Sequence, residues 1–321
     1  MQPVYSVVIP CYNEEEVLQE SYRRLSAVMQ DMGEPYELVF VNDGSRDRTA
    51  AILNDLADAD DRVRVVHFAR NGGHQIAVTA GLDYASGQAI VIIDADLQDP
   101  PEVIPQMALK WREGAQVVYG QRRSRAGETA FKKKTAELYY GIMQRLTNNS
   151  FPRDTGDFRL VDERVADVVR AMPEHARYLR GMFAWAGFKQ EPLLYDRDKR
   201  FAGETHYTLK KMLKLAADGV LSFSDKPLKL PLWAGLFWLG IGGLTLLVLL
   251  VRLIAGYASG GWWLAMLMML LGGSVLAALG VMGAYLSRLY EDVKGRPLYV
   301  VGETRGFAKG FVPHRPMKGK A

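Results

Sequence analysis

The first 122 residues alternate between short runs rich in β-branched residues and longer stretches in which apolar residues recur with helical spacing. The short runs predict five strands, at Tyr5–Pro10, Glu37–Asn42, Val63–Phe68, Ala89–Asp94 and Gln116–Gly120. The longer stretches predict four helices, at Glu14–Gln30, Asp47–Asp58, His74–Ala85 and Pro101–Glu113. Alternating strands and helices are typical of an α/β domain with a mainly parallel sheet, in which ligands bind beyond the carboxyl ends of the strands.

The pattern weakens over residues 123–204, which we assign to the same domain. A basic segment that contains Lys132–Lys134 leads into a predicted helix ending near Leu146, and a turn-rich stretch follows over 148–162. Further helices are predicted at about 163–172 and 175–183, and a strand near 188–195. The predicted α/β domain therefore spans residues 1–204.

Two long apolar stretches follow, at about 231–255 and 262–286, and Arg252 is the only charged residue from Pro231 to Ser287. With a rise of about 1.5 Å per residue, each stretch is long enough to cross a hydrocarbon core of about 30 Å. We therefore predict two transmembrane helices within 231–287. An amphipathic segment at 205–230 is expected to lie at the membrane surface before them. A cytoplasmic tail at 288–321 is expected to be loosely held from Gly302 on.

Positive charges flank the apolar stretches on both sides. Lys226 and Lys229 precede them, and Arg288, Lys294 and Arg296 follow them, which places both flanks in the cytoplasm. The amino-terminal sequence lacks the pattern of a signal peptide. We predict an inner-membrane protein with its α/β domain in the cytoplasm. Its glycine-rich helices permit close packing, and a homo-oligomer is expected because two helices alone make a poor bundle.

The composition narrows the class of protein. Of 321 residues, 49% are hydrophobic and 24% are charged, which excludes a disordered chain. A single cysteine excludes a disulfide scaffold and a cysteine-rich zinc module. The net charge of +4 is too small to indicate a nucleic acid partner, and none is expected. Neither a dinucleotide fingerprint at the first helix nor a Walker A motif is present.

Acidic residues follow the fourth predicted strand. Asp94 and Asp96 have the spacing that puts two side chains on the same side of an extended backbone, where two carboxylates repel unless a cation neutralises them. Oxygen ligands favour Mg²⁺ or Mn²⁺, so the pair predicts a site for a cation and a diphosphate. The alternative is a solvated acidic loop that caps a helix. Asp99 and Glu102 fit that alternative, as N-cap and third helical residue.

Polar residues also follow the first and second predicted strands. The carboxylates of Glu14 and Asp43 are suited to accept hydrogen bonds from a nucleobase imide or from ribose hydroxyls. Structural roles explain the same residues equally well: Asn42–Ser45 can form a turn, and Glu14–Glu16 can pair with a helix dipole. The residue pattern alone does not decide between nucleotide binding and these structural roles. The histidines that follow, His67 and His74, are interpreted as packed or solvated side chains.

Seven motifs occur in an order that identifies a resemblance: VVIPCYNEE, VFVNDGSRD, DADLQDPP, VYGQR, TGDFRLVD, GETHYTLKKML and YEDVKGRPLYVV. Over residues 4–301 the chain resembles the family 2 glycosyltransferases, and within them the membrane-anchored polyprenyl-phosphate glycosyltransferases. That group includes bactoprenol glucosyltransferases, dolichol-phosphate mannose synthases and the aminoarabinose transferase of lipid A modification. The resemblance implies a Rossmann-like GT-A fold, a nucleotide-sugar donor and a polyprenyl phosphate acceptor.

The resemblance also implies roles for residues that match the motifs. The residues expected to hold the nucleotide are Pro10, Tyr12, Glu14, Asp43 and Asp94. Those expected to hold Mg²⁺ or Mn²⁺ and the diphosphate are Asp94, Asp96 and Gln98. Those expected near the phosphates are Arg122, Lys133 and Arg200. Asp157 matches the proposed catalytic base of the family.

The implied reaction is an inverting transfer of a sugar to polyprenyl phosphate, with UDP-glucose as the expected donor and undecaprenyl phosphate as the expected acceptor. UDP-aminoarabinose, UDP-N-acetylglucosamine and GDP-mannose remain alternative donors. A membrane-anchored protein that binds a nucleotide-sugar without catalysis is the alternative from another class. A processive polysaccharide synthase is disfavoured, because neither its Gln-x-x-Arg-Trp motif nor enough helices for a channel are present.

Overall fold

The computed structural model describes residues 3–123, 155–197, 226–256, 261–308 and 310–314. In this part of the chain the strands are β1 (Tyr5–Cys11), β2 (Tyr36–Asn42), β3 (Val63–Phe68), β4 (Ala89–Ile92), β5 (Val117–Arg122), β6 (Thr155–Asp162), β7 (Gln190–Tyr195) and β8 (Val301–Arg305). The α-helices are α1 (Leu18–Asp31), α2 (Thr49–Ala59), α3 (His74–Tyr84), α4 (Ile104–Arg112), α5 (Glu163–Ala171), α6 (Leu179–Trp185), α7 (Lys226–Ile254) and α8 (Trp262–Lys294). A 3₁₀ turn at Pro101–Val103 precedes α4.

The strands form one sheet in the order β7-β5-β6-β4-β1-β2-β3-β8. β1 pairs in parallel with β2 and β4, β2 with β3, and β5 with β7. β6 is antiparallel to both β4 and β5, and β8 is antiparallel to β3. The predicted mainly parallel α/β sheet is therefore confirmed.

Helices cover both faces of the sheet, which explains why its central strands read as continuous apolar runs. Every residue of β1 and β2 is buried. On one face the core includes Leu25 of α1 and Leu53 of α2, and on the other it includes Leu82 of α3 and Val165 of α5. This two-sided packing holds the strand ends, and the loops that follow them, in a fixed arrangement.

The strand β6 lies in a stretch that was predicted to be turn-rich, and that prediction was wrong for residues 155–162. Its buried residues, Phe158, Leu160 and Val161, complete the core between β4 and β5. Since β6 runs against its neighbours, its first residues lie at the carboxyl edge of the parallel strands. Ile92 near the end of β4 pairs with Arg159, so Asp157 lies just beyond that end.

Two predicted helix starts also differ from the structure. α1 begins at Leu18 rather than Glu14. Residues 14–17 form a turn in which the backbone carbonyl oxygen of Glu14 accepts the N–H groups of Val17 and Leu18. Asp99 does not cap a helix: the 3₁₀ turn is preceded by Pro100, and Asp99 is buried against Tyr195 and Arg197 instead. Glu102 forms an exposed ion pair with Arg24.

The two apolar helices α7 and α8 run beyond the predicted spans at both outer ends. Within them, 233–252 and 267–294 are long and apolar enough, by length and composition, to cross a membrane. Large apolar side chains on both helices are exposed, Leu244 and Met269 among them. Apolar surface of this extent on a helix pair is what a lipid environment covers.

The chain returns to the α/β domain after α8. β8 extends the sheet at β3, Tyr299 stacks on Phe68, and Phe307 packs against Tyr84 at the end of α3. The expectation of a loosely held tail from Gly302 on was therefore wrong for the described residues up to 314. The aromatic rings of Tyr299 and Phe307 pack against Phe68 and Tyr84, and this packing holds the segment on the domain.

The end of α8 is also tied to the domain. The backbone N–H of His175 donates to Asp292 at 2.9 Å, and its Nε2 contacts the carbonyl oxygen of Arg296 at 2.6 Å. The predicted helix up to Leu146, the amphipathic residues 205–225, and the site residues Lys133 and Arg200 lie outside the described residues.

Candidate active site at the carboxyl edge of the sheet

The loops after β1 and β2 are joined by hydrogen bonds. The backbone N–H of Asn13 donates to Ser45 Oγ at 3.0 Å, and Asn13 Oδ1 accepts the N–H of Arg46 at 2.9 Å. The N–H of Glu14 donates to Thr49 Oγ1 at 2.9 Å. Asn13 has a left-handed backbone, with φ of 56°. These bonds hold the two loops together as one wall of a cleft.

Three of the predicted nucleotide-binding residues lie in or beside β1. Tyr12 is 36% exposed at the start of the loop, and Glu14 is half-buried beside it. Pro10 is buried inside β1, opposite Val41 of β2. Tyr12 and Glu14 are thus the ones that present side-chain surface at this edge, while Pro10 shapes the strand beneath them.

Asp43 is 3% exposed and is held by the loop that follows β3. Its Oδ1 accepts the backbone N–H of Gly72 at 2.6 Å, and its Oδ2 accepts the N–H of Gly73 at 2.9 Å and Asn71 Nδ2 at 3.0 Å. Burial raises the pKa of Asp43, although the two backbone N–H groups oppose the rise. The carboxylate therefore organises the turn that opens α3.

Asn42 and Gly44 on either side of Asp43 are equally constrained. Asn42 Nδ2 contacts His67 Nδ1 at 3.0 Å, and His67 Nε2 contacts Asn54 Oδ1 at 2.9 Å. Burial lowers the pKa of His67, so the imidazole is neutral at pH 7. Gly44 has φ of 66°, and a Cβ there would lie 2.7 Å from the backbone nitrogen of Asn71. The loops after β2 and β3 can approach this closely only with glycine at 44.

Exposure alternates along the loop after β4. Asp94, Asp96 and Gln98 are half-buried, whereas the intervening Ala95 and Leu97 are buried. The Oδ1 of Asp96 accepts the backbone N–H of Gln98 at 3.1 Å. The three predicted cation ligands therefore share the outward-facing positions of one short loop.

Asp157 of β6 lies in a pocket of hydrogen-bond donors, with 12% of its side chain exposed. Its Oδ1 accepts Arg180 Nε at 2.7 Å, and its Oδ2 accepts Arg180 Nη2 at 3.2 Å and Gln75 Nε2 at 3.3 Å. His74 Nε2 lies 3.1 Å from the same Oδ2. Burial would raise the pKa of Asp157, but Arg180 and His74 outweigh it and hold that pKa well below the usual range.

His74 joins the loop after β4 to Asp157. Its Nε2 lies 3.7 Å from Asp94 Oδ1 as well as 3.1 Å from Asp157 Oδ2. Burial disfavours the imidazolium form, but the two carboxylates outweigh it and raise the pKa of His74 to about 9. Burial raises the pKa of Asp94 to about 6, with His74 opposing. His74 therefore bridges two of the predicted site carboxylates.

A second polar cluster lies beneath the loop after β4. The buried carboxylate of Asp99 accepts a hydrogen bond from the Tyr195 hydroxyl and lies 3.2 Å from Arg197 Nε. Arg122, at the end of β5, is half-buried, and its Nε has no hydrogen-bond partner within the described part of the chain. Burial and Asp99 raise the pKa of Tyr195, and Arg122 opposes this rise. The predicted phosphate ligand Arg122 thus lies at the same edge, next to the loop that carries Asp94–Gln98.

Three residues of this candidate site were not predicted from the sequence: His74, Gln75 and Arg180. His74 was interpreted as packed or solvated, yet it bridges Asp94 and Asp157. The rule applied to the ends of the first, second and fourth strands would have found it, because His74 follows the turn after β3. Arg180 carries no comparable signal: it lies 23 residues from Asp157 along the chain.

The site suits a cation that shares its ligands with phosphates. Among the described residues, no three His, Cys, Asp or Glu side chains are grouped as a closed protein metal site requires. Mg²⁺ typically takes one or two carboxylates together with substrate phosphates, and Asp94 and Asp96 supply that donor set. The residues present therefore fit the predicted Mg²⁺ or Mn²⁺.

A mainly parallel sheet, with carboxylates and polar loops at its carboxyl edge, is the arrangement that the resemblance to GT-A glycosyltransferases led us to expect. The family model described as Glycosyl transferase family 2 matches residues 6–170. The chain belongs to this family and is a glycosyltransferase, which confirms both the predicted family and the GT-A fold.

Curated relatives match over most of the chain. An uncharacterized glycosyltransferase of Bacillus subtilis, YkcC, is 51% identical over 94% of this chain and 94% of its own. The prophage bactoprenol glucosyl transferase homolog of Escherichia coli is 36% identical over 92% and 97%. The SfII prophage-derived bactoprenol glucosyl transferase of Shigella flexneri is 37% identical over 92% and 96%.

Among solved structures, the chain is similar to glucosyl-3-phosphoglycerate synthase from Mycobacterium tuberculosis, described in complex with Mn²⁺ and uridine-diphosphate-glucose. That likeness has a TM-score of 0.49 at 19% identity, over 68% of this chain and 77% of the other.

Proposed function

We propose that this enzyme transfers a hexose, with UDP-glucose as the donor, to the phosphate of a polyprenyl lipid such as undecaprenyl phosphate. The reaction takes place at the cytoplasmic face of the inner membrane and yields a lipid-linked sugar for modifying a cell-envelope glycan or lipid. The observation that carries the proposal is the linkage of Asp94 to Asp157 through His74, in a chain with two helices of membrane-spanning length. The relatives named bactoprenol glucosyl transferase support the acceptor and the sugar.

The donor nucleotide lies against the loops after β1 and β2. Tyr12 supplies an exposed aromatic face for the base, and Glu14 supplies a carboxylate for hydroxyl or imide hydrogens. Asp43 is already bonded to three donors, so we assign it to shaping this wall of the cleft as well as to the predicted nucleotide contact.

Charge develops on the diphosphate as it leaves, and the site has groups to stabilise it. When bound by Asp94 and Asp96, with Gln98 beside them, Mg²⁺ or Mn²⁺ supplies positive charge at the leaving group. Arg122 lies at the same edge, and Lys133 and Arg200 are proposed to complete the phosphate contacts. Preorganised charge of this kind is commonly a large part of catalysis.

The acceptor phosphate attacks the anomeric carbon from the side of Asp157, which inverts the configuration. A phosphate monoester has a second pKa of about 6, so it is largely deprotonated at pH 7 and needs no strong base. Asp157 is a poor base because its pKa is held low. Its role is to hold Arg180 and His74, whose positive charge offsets the repulsion between Asp157 and the phosphate.

The membrane hairpin brings this edge to the lipid. A polyprenyl chain cannot leave the bilayer cheaply, because each exposed methylene costs about 0.8 kcal/mol. The return of the chain through β8 and the contacts of His175 with the end of α8 fix the domain on the hairpin. A homo-oligomer built through α7 and α8 remains a prediction.

A donor panel tests the proposal. Purified full-length protein in lipid nanodiscs is given undecaprenyl phosphate with UDP-glucose, UDP-N-acetylglucosamine, UDP-aminoarabinose or GDP-mannose, and the lipid product is measured. We expect transfer from UDP-glucose that EDTA abolishes and that Mg²⁺ or Mn²⁺ restores. Preference for another nucleotide-sugar would correct the donor, and binding without transfer from any donor would refute the proposed reaction.

A further inference from the structure

The two ring nitrogens of His74 lie in different environments. The Nε2 faces Asp157 and Asp94, at 3.1 and 3.7 Å. The other ring nitrogen, Nδ1, has no hydrogen-bond partner among the described residues, and 38% of the side chain is exposed. One ring nitrogen is thus held by the protein, and the side chain keeps exposed surface that a ligand can contact.

The backbone under His74 is rigid. It is the first residue of α3, and the preceding turn is bound to Asp43 through the N–H groups of Gly72 and Gly73. α3 itself packs in the core, where Ala77, Val78 and Leu82 are buried. The ring is therefore positioned from both ends, by the turn beneath it and by the carboxylates at Nε2, as a specific contact requires.

The location of His74 relative to the reactants follows from the proposed function, on which this inference rests. The donor diphosphate lies at Asp94 and Asp96, and the acceptor lies on the side of Asp157. The hexose that passes between them must lie beside the residue that bridges the two carboxylates. That residue is His74.

We propose that His74 determines sugar specificity by a hydrogen bond from its Nδ1 to one hydroxyl of the transferred hexose. A hydroxyl both donates and accepts hydrogen bonds, so it pairs with Nδ1 whether or not that nitrogen carries a proton. The bond at Nε2 sets the direction in which Nδ1 points. A sugar that lacks the hydroxyl, or carries it in the other orientation, leaves Nδ1 without its partner.

Two substitutions test the roles of the two ring nitrogens of His74 separately. His74→Gln extends an amide toward the position of Nε2 and keeps a donor for Asp157, but it removes the group at Nδ1. His74→Asn keeps an amide near Nδ1 and is too short to reach Asp157. His314→Gln is the matched control, because His314 is exposed in the carboxyl-terminal segment.

The experiment combines these variants with monodeoxy forms of the preferred donor sugar, each lacking one hydroxyl. In the wild type and in His314→Gln, we expect one monodeoxy donor to lose about tenfold in kcat/KM, the worth of one hydrogen bond. In His74→Gln that donor and the parent sugar should be used equally well, and the other monodeoxy donors should behave as in the wild type. His74→Asn should keep the discrimination while turning over more slowly.

The same comparison is made on donor dissociation constants by calorimetry, which needs no acceptor. Equal losses for every monodeoxy donor in His74→Gln and wild type would overturn the inference. So would discrimination that persists in His74→Gln and disappears in His74→Asn. Donor binding without transfer to undecaprenyl phosphate would instead refute the proposed reaction, and the role of His74 would still be decided from the dissociation constants.

Discussion

Two carboxylates at the same edge of the sheet, those of Asp43 and Asp157, are held in different ways. Asp43 is bound mainly by backbone N–H groups of the turn after β3, whereas Asp157 is bound by the side chains of His74, Gln75 and Arg180. Backbone donors belong to the fold and cannot leave without unfolding the turn. Side-chain donors can rotate toward a ligand. This difference supports the proposal that Asp43 mainly stabilises the architecture of the site, whereas Asp157 takes part in its chemistry.

The largest effect is expected at Asp157. Asp157→Asn removes the charge that holds Arg180 and His74, and turnover should fall about 100–1,000-fold. The donor dissociation constant, measured by calorimetry, should rise by no more than about tenfold, the worth of the one hydrogen bond assigned to His74. Asp162→Asn is the matched control at the other end of β6, where Asp162 accepts Trp111 Nε1 and caps α5. The control variant should be less stable but should keep normal turnover. Near-normal turnover of Asp157→Asn would contradict the chemical role proposed for Asp157.

A substitution at Asp43 tests whether this carboxylate mainly stabilises the architecture of the site. Asp43→Asn places an amide NH₂ where one of the N–H donors now binds, so the free energy of unfolding should fall by about 1–3 kcal/mol. Thermal unfolding in detergent, followed by tryptophan fluorescence, measures this loss. At saturating donor, kcat should fall only a few-fold. If kcat falls as far as in Asp157→Asn while stability is unchanged, Asp43 acts on the reactants and the two carboxylates do not differ in kind.

The close approach of the loops after β2 and β3 gives a smaller, more local test. Gly44→Ala adds a Cβ 2.7 Å from the nitrogen of Asn71, whereas Gly33→Ala meets open space at a similar φ of 71°. Both variants carry the cost of a left-handed alanine, about 1–2 kcal/mol. Gly44→Ala should lose more stability than Gly33→Ala and should also weaken donor binding. Equal losses of stability in both variants would show that the contact between the loops after β2 and β3 contributes nothing to stability.

The smallest effect is expected from His67, which supports Asn42 behind Asp43. Its pKa is lowered by burial, so the unfolded chain binds a proton more readily than the folded one. The stability that the neutral ring contributes is present above a pH of about 6.5 and is lost as the pH falls toward the folded pKa. Between pH 7.5 and pH 5.5, the wild type should lose more unfolding free energy than His67→Gln. If both proteins lose the same unfolding free energy, the neutral ring of His67 does not stabilise this part of the fold.

The positions of helices and strands in the first 122 residues were predictable, because hydrophobic periodicity is a local property of the chain. The rule that parallel strands end at one edge also predicts that Asp43 and Asp94 lie at the same edge of the sheet. That rule does not find β6, because Thr155–Asp162 has only three apolar side chains among polar ones and directly follows predicted turn residues. Nor does it find β8, since pairing at a sheet edge depends on which strand lies there.

The sequence by itself determined the α/β pattern, the carboxylate pair Asp94 and Asp96, and the two apolar stretches, because each is set by neighbours within a few residues. Only the tertiary structure decided that Asp157 meets His74 and Arg180, which lie 83 and 23 residues away. That meeting depends on the antiparallel insertion of β6 and on the packing of α3 and α6 against the sheet. Strand direction and helix packing result from burying the whole core, and no local pattern specifies them.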